Sequence, residues 1–163
     1  MMTDLILPKL PDNLESLREE EENVRAQSLL IVNANPAFVD HTALVHDCLD
    51  AIHVFSITHV NVDEEELVLQ RLGIRLFNSG ACGLSLLLSG YYQNAAATVR
   101  DLLETGFLID HFRTERSQIK VWRDASDEVR RKDFQPWQIR DVLDKRDGFT
   151  EKKRAEAYKG RSE

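Results

Sequence analysis

The stretch from Leu76 to Val99 runs for 24 residues without a charged side chain, in a chain of which 30% is Asp, Glu, Lys or Arg. Its length would suffice to cross a bilayer, which needs about 20 consecutive apolar residues. Six polar side chains interrupt it, and each would need a hydrogen-bonding partner in hydrocarbon: Asn78, Ser79, Ser85, Ser89, Gln93 and Asn94. The stretch therefore predicts buried helical segments, and no membrane association is expected.

Ser89–Gly90 divides this stretch into two helical arms, because glycine readily takes the left-handed conformation that ends a helix. The first arm is predicted from Asp63, an N-cap residue followed by three glutamates, to about Leu88. The second is predicted from about Tyr91 to Arg113. Small residues on both arms permit close packing as an antiparallel hairpin: Gly73, Gly80, Ala95, Ala96 and Ala97. We expect this hairpin to be the centre of the domain.

Length and proline content favour one helical domain. The 163 residues suffice for one sizeable core, and no proline occurs between Pro36 and Pro136. We predict an all-α fold, a single up-and-down bundle of five or six helices around the hairpin. The bundle is predicted over residues 12–163, behind an extended N-terminal arm of residues 1–11.

Capping residues place the other helices. One is predicted over residues 12–32, and the next over residues 35–60, with Asn35 as N-cap and Pro36 as first helical residue. A further helix opens at Pro136 and ends at Gly148. On the helix over residues 35–60 and on the helix after Pro136, these side chains are expected to face the protein core: Phe38, Val45, Leu49, Ile52, Phe55, Ser56, Trp137, Ile139, Val142 and Leu143. A last helix, over residues 150–163, has no C-cap, so it is expected to fray or to continue as a longer helix.

Charge is divided unevenly along the chain. Residues 1–111 carry 6 Lys and Arg against 17 Asp and Glu, a net charge of −11, whereas residues 112–163 carry 15 against 11, a net charge of +4. An acidic body argues against general nucleic-acid binding, although local phosphate contacts by the basic tail stay open. The candidate phosphate contacts are Lys152, Lys153 and Arg154; ordinary solvated helix faces would give the same pattern.

Cysteine usage and the N-terminus indicate the compartment. Cys48 and Cys82 lie on predicted helices without the spacing of a metal site, so we expect buried free thiols in a reducing environment. The N-terminus has no basic segment followed by an apolar segment of signal-peptide length. A cytoplasmic protein is therefore expected.

Three side chains on the second helix are compatible with a metal ion. His46, Asp50 and His53 occupy positions i, i+4 and i+7, so they share one side of the helix. No second helix supplies a matching pair of ligands, and histidines that border a core would show the same spacing. We therefore predict no metal and no cofactor, and keep these three residues as the candidates if a metal binds.

The best candidate for a specific polar site is a pair on the second arm. Arg100 and Glu104 are four residues apart and can form an ion pair along the helix. They lie among apolar residues, so part of the pair is expected to be buried, and a buried Arg needs partners. The alternatives are an internal structural salt bridge and a ligand or catalytic site.

Two segments carry a resemblance to a known family: LLLSGYYQNAAATVRDLLETGFLIDHF and FQPWQIRDVLDKRDGFTEKKRAEAYKGRSE. Over residues 64–163 the chain resembles uncharacterised bacterial helical proteins related to the HEPN bundles and to abortive-infection proteins. The resemblance implies that Arg100 and Glu104 correspond to the family's paired Arg and Glu. It also implies that Tyr158 and Ser162 correspond to the start of its last helix.

The chain departs from the pattern of HEPN ribonucleases, which act through an Arg followed, after four to six residues, by a His. No Arg in this chain is followed by a His at that spacing, and no His occurs after His111. Either the motif lies beyond Glu163 or this member is not a nuclease. The resemblance therefore implies the fold more than the activity.

The function that the sequence favours is a non-catalytic binding or assembly module, a homo-oligomer or a protein-bound unit, in bacterial defence or stress signalling. The small-residue hairpin suits association, and no complete catalytic set is present. The alternative is a HEPN-like ribonuclease or nucleotide-binding domain with Arg100 and Glu104 near the site. A metal-dependent hydrolase using His46, Asp50 and His53 is a third hypothesis.

Overall fold

The computed structural model describes residues 12–149, which form seven α-helices and no β-strand. The helices are α1 (Leu14–Ala34), α2 (Pro36–Thr58), α3 (Glu64–Leu88), α4 (Tyr92–Thr114), α5 (Ser117–Asp124), α6 (Asp127–Asp133) and α7 (Pro136–Arg146). The all-α prediction is confirmed. The predicted N-terminal arm, residues 1–11, and the predicted last helix, residues 150–163, lie outside the described residues.

The number of helices exceeds the five or six that were expected. The charged segment after α4 divides at Ala125, which ends α5 with an extended backbone. The Ser126 side chain then caps α6 by accepting a hydrogen bond from the Val129 backbone N–H at 3.3 Å. This local cap divides the segment into two short helices, at a position that the pattern of charges alone does not indicate.

Local capping sets the ends of the long helices as predicted. The Asp63 carboxylate accepts a hydrogen bond from the Glu66 backbone N–H at 2.7 Å, and the first turn of α3 is acidic. Gly90, at φ 87°, supplies the left-handed backbone of the α3–α4 turn. Asn35 serves two helices, because its backbone N–H bonds to the Val32 carbonyl while its side chain accepts from the Ala37 N–H.

Helices α3 and α4 run antiparallel and pack closely where α3 has glycine. A Cβ built at Gly83 would lie 2.7 Å from Oγ1 of Thr98 on α4. A Cβ at Gly80 would lie 2.9 Å from a methyl carbon of Leu49 on α2 and 3.4 Å from one of Leu102 on α4. Both glycines therefore permit a helix approach that a side chain would obstruct.

The buried core lies at one end of this helix pair. Its members come from the first half of α3, the second half of α4, and from α5 and α7: Val68, Leu72, Leu108, Phe112, Ile119, Ile139 and Leu143. Phe112 and Ile119 are each 1% exposed, and the Trp122 ring meets the Phe112 ring edge-on at 6.0 Å between centroids. The short helices thus complete the core that the two long helices begin.

Helices α1 and α2 contribute no buried residue, which corrects the predicted core face of α2. Leu49, Ile52 and Ser56 are half-buried. Phe38, Val45 and Phe55, which were expected to join them in the core, are 48, 40 and 41% exposed. The periodicity identified an apolar face correctly, but no described element covers it fully.

The two cysteines also differ from expectation. Both are free thiols as predicted, but Cys48 and Cys82 are exposed and not buried. Cys48 lies on the incompletely covered α2, and Cys82 on an exposed side of α3. Among residues 12–149, no helix is long and apolar enough to cross a membrane.

Candidate functional site

The predicted Arg100–Glu104 pair forms. Arg100 Nε donates a hydrogen bond to Glu104 Oε1 at 2.8 Å, and this bond raises the pKa of the Arg100 guanidinium above its ordinary value. The Glu104 side chain is 31% exposed and that of Arg100 is 81% exposed. Glu104 is therefore partly buried, as expected. Arg100 is not, because its side chain extends from α4 into solvent.

The pair borders a cavity of about 310 Å³ between α4 and α7, the α4–α7 groove. Its lining comes from one face of α4 and from the first turns of α7: Arg100, Leu103, Glu104, Phe107, Pro136, Trp137 and Arg140. The four residues of α4 have the i, i+3, i+4, i+7 spacing of a single helix face. The groove therefore has an apolar floor and carries an arginine from each helix.

Trp137 was expected to face the core, and this was wrong. Its side chain is 63% exposed and lines the α4–α7 groove, whereas Ile139 and Leu143 are buried as predicted. Trp137 precedes Ile139 by two residues, which places it about 200° away around the helix. Val142, 47% exposed, also lies outside the core. The sequence signal for the groove was the Pro136–Trp137 pair at a helix start, where a large aromatic residue need not point inward.

A second cavity, of about 290 Å³, adjoins the groove and shares Glu104 and Pro136 with it. Thr105, 3% exposed, is part of its lining, and the Thr105 hydroxyl has no hydrogen-bond partner among the described residues. Three arginines also line it: Arg75, Arg130 and Arg131. Positive charge is therefore concentrated on this side of α4.

Two of those arginines have structural roles. Arg130 donates hydrogen bonds to the backbone carbonyls of Trp122 and Arg123, each at 2.8 Å, and its guanidinium lies 4.9 Å from the centroid of the Trp122 ring. Arg75 on α3 forms an ion pair with Asp101 on α4. These contacts hold α6 against α5 and α3 against α4.

Sequence reasoning missed the Arg75–Asp101 pair. Arg75 Nε donates to Asp101 Oδ2 at 3.2 Å, and the Ser79 hydroxyl donates to the same oxygen at 2.7 Å. The Arg75 guanidinium, followed by the Ser79 hydroxyl, lowers the pKa of Asp101 below its ordinary value. Spacing along one helix cannot reveal a pair that joins two helices, but the antiparallel hairpin could have suggested it.

The metal candidates gain no support from residues 12–149, which contain no group of three or more His, Cys, Asp or Glu side chains placed to hold a metal ion. His46 and His53 are seven residues apart, about 10 Å along the helix axis. The His46 ring instead lies 3.8 Å from Asp47, and the His53 ring contacts the Phe77 ring at 5.6 Å.

The predicted phosphate contacts Lys152, Lys153 and Arg154 lie outside the described residues, as do Tyr158 and Ser162. Comparison of the chain with known protein families, with curated proteins and with solved structures gives no match.

Proposed function

We propose that this chain is a non-catalytic assembly module, an up-and-down helical bundle around the α3–α4 hairpin that associates with a second copy of itself. The observation that carries this proposal is the exposure of α1 and α2. Neither helix contains a buried residue, although α2 is rich in large apolar side chains. The apolar side chains of a helix normally pack against another element, so a further surface is needed to cover those of α2.

The exposed apolar residues are continuous along the chain. Residues 26–39 include no charged side chain and span the end of α1 and the start of α2. We define the α1–α2 surface as the large apolar side chains in this segment and in the rest of α2, which are 36–71% exposed: Leu29, Leu30, Ile31, Phe38, Val39, Leu44, Val45, Val54, Phe55 and Ile57. Monomeric proteins rarely expose a patch of this kind.

The distribution of charge is compatible with a second copy as the partner. Each chain carries a net charge of −7, so two copies repel each other where their acidic faces meet. The run of glutamates on α1, residues 19–22, precedes the uncharged segment. Two copies that meet at the uncharged end of α1 and along α2 keep these carboxylates at the rim, where solvent screens them.

Light scattering coupled to size-exclusion chromatography tests the proposal. We expect the full chain at 5 to 200 µM to elute at about 37 kDa, twice the chain mass of 18.7 kDa. Leu30→Glu, which places a charge on the 71% exposed Leu30, should shift it to the monomer mass. Asn23→Glu adds the same charge within the acidic half of α1 and should leave the mass unchanged.

Two outcomes would overturn the proposal. A wild-type chain that stays monomeric over the whole concentration range has no self-association to explain. A Leu30→Glu variant that keeps the dimer mass, with unchanged helical circular dichroism, excludes the α1–α2 surface as the interface.

A further inference from the structure

The α4–α7 groove has features that self-association does not use. It lies on α4 and α7, whereas the α1–α2 surface belongs to the two N-terminal helices. Its volume of about 310 Å³ falls at the lower end of the range of small-molecule sites. Leu103 and Phe107 form an apolar floor, as such sites usually have.

Its charge is opposite to that of the whole chain. The groove is lined by two arginines against one carboxylate, Glu104, in a chain whose net charge is −7. Of the three arginines in the adjoining cavity, Arg75 and Arg130 are paired with Asp101 and Asp127. No described residue forms an ion pair with Arg131 or Arg140. Arg100 donates a hydrogen bond to Glu104 only through its Nε–H group. The terminal nitrogens of Arg100 and the guanidinium of Arg140 therefore lack anionic partners within residues 12–149.

An exposed aromatic ring lines the groove together with these cations. Trp137 is 63% exposed and shares the lining with Arg100 and Arg140. Tryptophan side chains with one open face are the surfaces on which planar rings stack, at about 1–3 kcal/mol per ring. Arginine pairs with phosphate through two parallel hydrogen bonds.

We infer that the α4–α7 groove binds a ligand that joins a planar aromatic ring to a phosphate group, as a nucleoside phosphate does. The ring stacks on Trp137 above the apolar floor, and the phosphate pairs with Arg100 and Arg140. Glu104 is a positioning residue, because its carboxylate holds the Arg100 side chain at the rim of the groove.

The size of the groove and the charge of the chain favour a single nucleoside phosphate over a long strand. A strand would extend beyond the groove over a body whose residues 1–111 carry a net charge of −11. That acidic surface repels a polyanion but affects a ligand with one phosphate group much less.

Tryptophan fluorescence of the full chain tests the inference, in a Trp122→Phe background that leaves Trp137 as the only tryptophan. The probes are adenosine 5′-monophosphate, adenosine, inorganic phosphate and a ten-residue oligodeoxyadenylate. We expect the monophosphate to quench Trp137 and to bind at least tenfold more tightly than adenosine or phosphate alone. The oligonucleotide should bind no more tightly than the monophosphate; tighter binding with a steep salt dependence would identify a single strand as the source of the same chemistry.

Variants assign the binding to the groove. Arg140→Gln and Arg100→Gln should each weaken monophosphate binding about tenfold, and Arg25→Gln, which removes an exposed arginine on α1, should not. Trp137→Leu, followed by calorimetry, should weaken binding of the monophosphate but not of inorganic phosphate. The inference fails if neither the monophosphate nor the oligonucleotide binds at 5 mM, or if Arg140→Gln and Arg100→Gln leave the affinity unchanged while their circular dichroism matches that of the wild type.

Discussion

A methyl group added at Gly83 should destabilise the protein, although alanine is the better helix former by about 1 kcal/mol. The added Cβ would lie 2.7 Å from Thr98 Oγ1, so α3 and α4 must separate by several tenths of an ångström or Thr98 must rotate. Rotation breaks the 2.7 Å hydrogen bond from the Thr98 hydroxyl to the Ala95 carbonyl. Overpacking costs about 1–3 kcal/mol and the lost bond about 1 kcal/mol. After subtraction of the helix-propensity gain of about 1 kcal/mol, the net loss in the free energy of unfolding should be about 1–3 kcal/mol.

Gly106 provides a matched control in the middle of α4. A Cβ built at Gly106 meets no heavy atom within 4 Å, so Gly106→Ala receives the gain in helix propensity without a clash. We expect it to raise the free energy of unfolding by about 1 kcal/mol. The two variants should thus differ by roughly 2–4 kcal/mol. With a urea dependence of about 2 kcal/mol per molar, their unfolding midpoints should differ by about 1–2 M.

The measurement is urea unfolding followed by circular dichroism at 222 nm, at one protein concentration. A shift of the midpoint in the same direction for Gly83→Ala and Gly106→Ala would refute the reasoning, because helix propensity alone would then explain both. The double variant Gly83→Ala/Thr98→Ala removes the clashing hydroxyl. It should be less destabilised than the two single changes added together, and strict additivity would contradict the contact.

Three further predictions concern charge, core and thiols. Arg75 lowers the pKa of Asp101 in the folded protein, so the stability from this pair is complete above the pKa of the unfolded chain, near 4, and is lost as the pH falls through the lowered folded pKa. Asp101→Asn should therefore flatten the decline of the unfolding free energy, measured by urea titration from pH 5 to 2. Phe112→Ala should cost about 3–5 kcal/mol in urea unfolding, because Phe112 is 1% exposed, whereas Val62→Ala, at a position 81% exposed, should change stability by less than about 0.5 kcal/mol. Cys82, measured in the Cys48→Ser variant, should react with a thiol reagent in the native protein within seconds. Cys48 on α2, measured in the Cys82→Ser variant, should react more slowly as the protein concentration rises. A Cys48 reaction rate that is the same at all protein concentrations would contradict coverage of α2.

The sequence predicts the ends of helices well, because their causes lie within a few residues. Asp63 and Asn35 cap helices in the structure as their positions in the sequence indicated. Gly90 takes the positive φ that ends the central charge-free stretch. The Arg100–Glu104 pair belongs to the same class, since four residues of one helix determine it.

The parts that the sequence did not predict depend on which helix covers which face. The sequence periodicity predicts the apolar face of α2. It does not indicate whether another helix covers that face, and among residues 12–149 no helix covers it fully. Trp137 was assigned to the core by residue type, whereas its position around α7 places it in the groove. Arg75 and Asp101 meet only because two helices run antiparallel, so neither residue signals the other in the sequence.

The position of the core at one end of the helix pair has a consequence for local stability. Phe112 and Ile119 lie within it, so backbone amides around them should exchange with deuterium only when the whole protein unfolds. Amides of α1 and α2, which hold no buried residue, should exchange through smaller openings that leave the core intact. If a second copy binds these helices, as we propose, it binds only their closed form, and association should then suppress the openings by mass action. Protein concentration would thereby control how firmly the first third of the chain is folded.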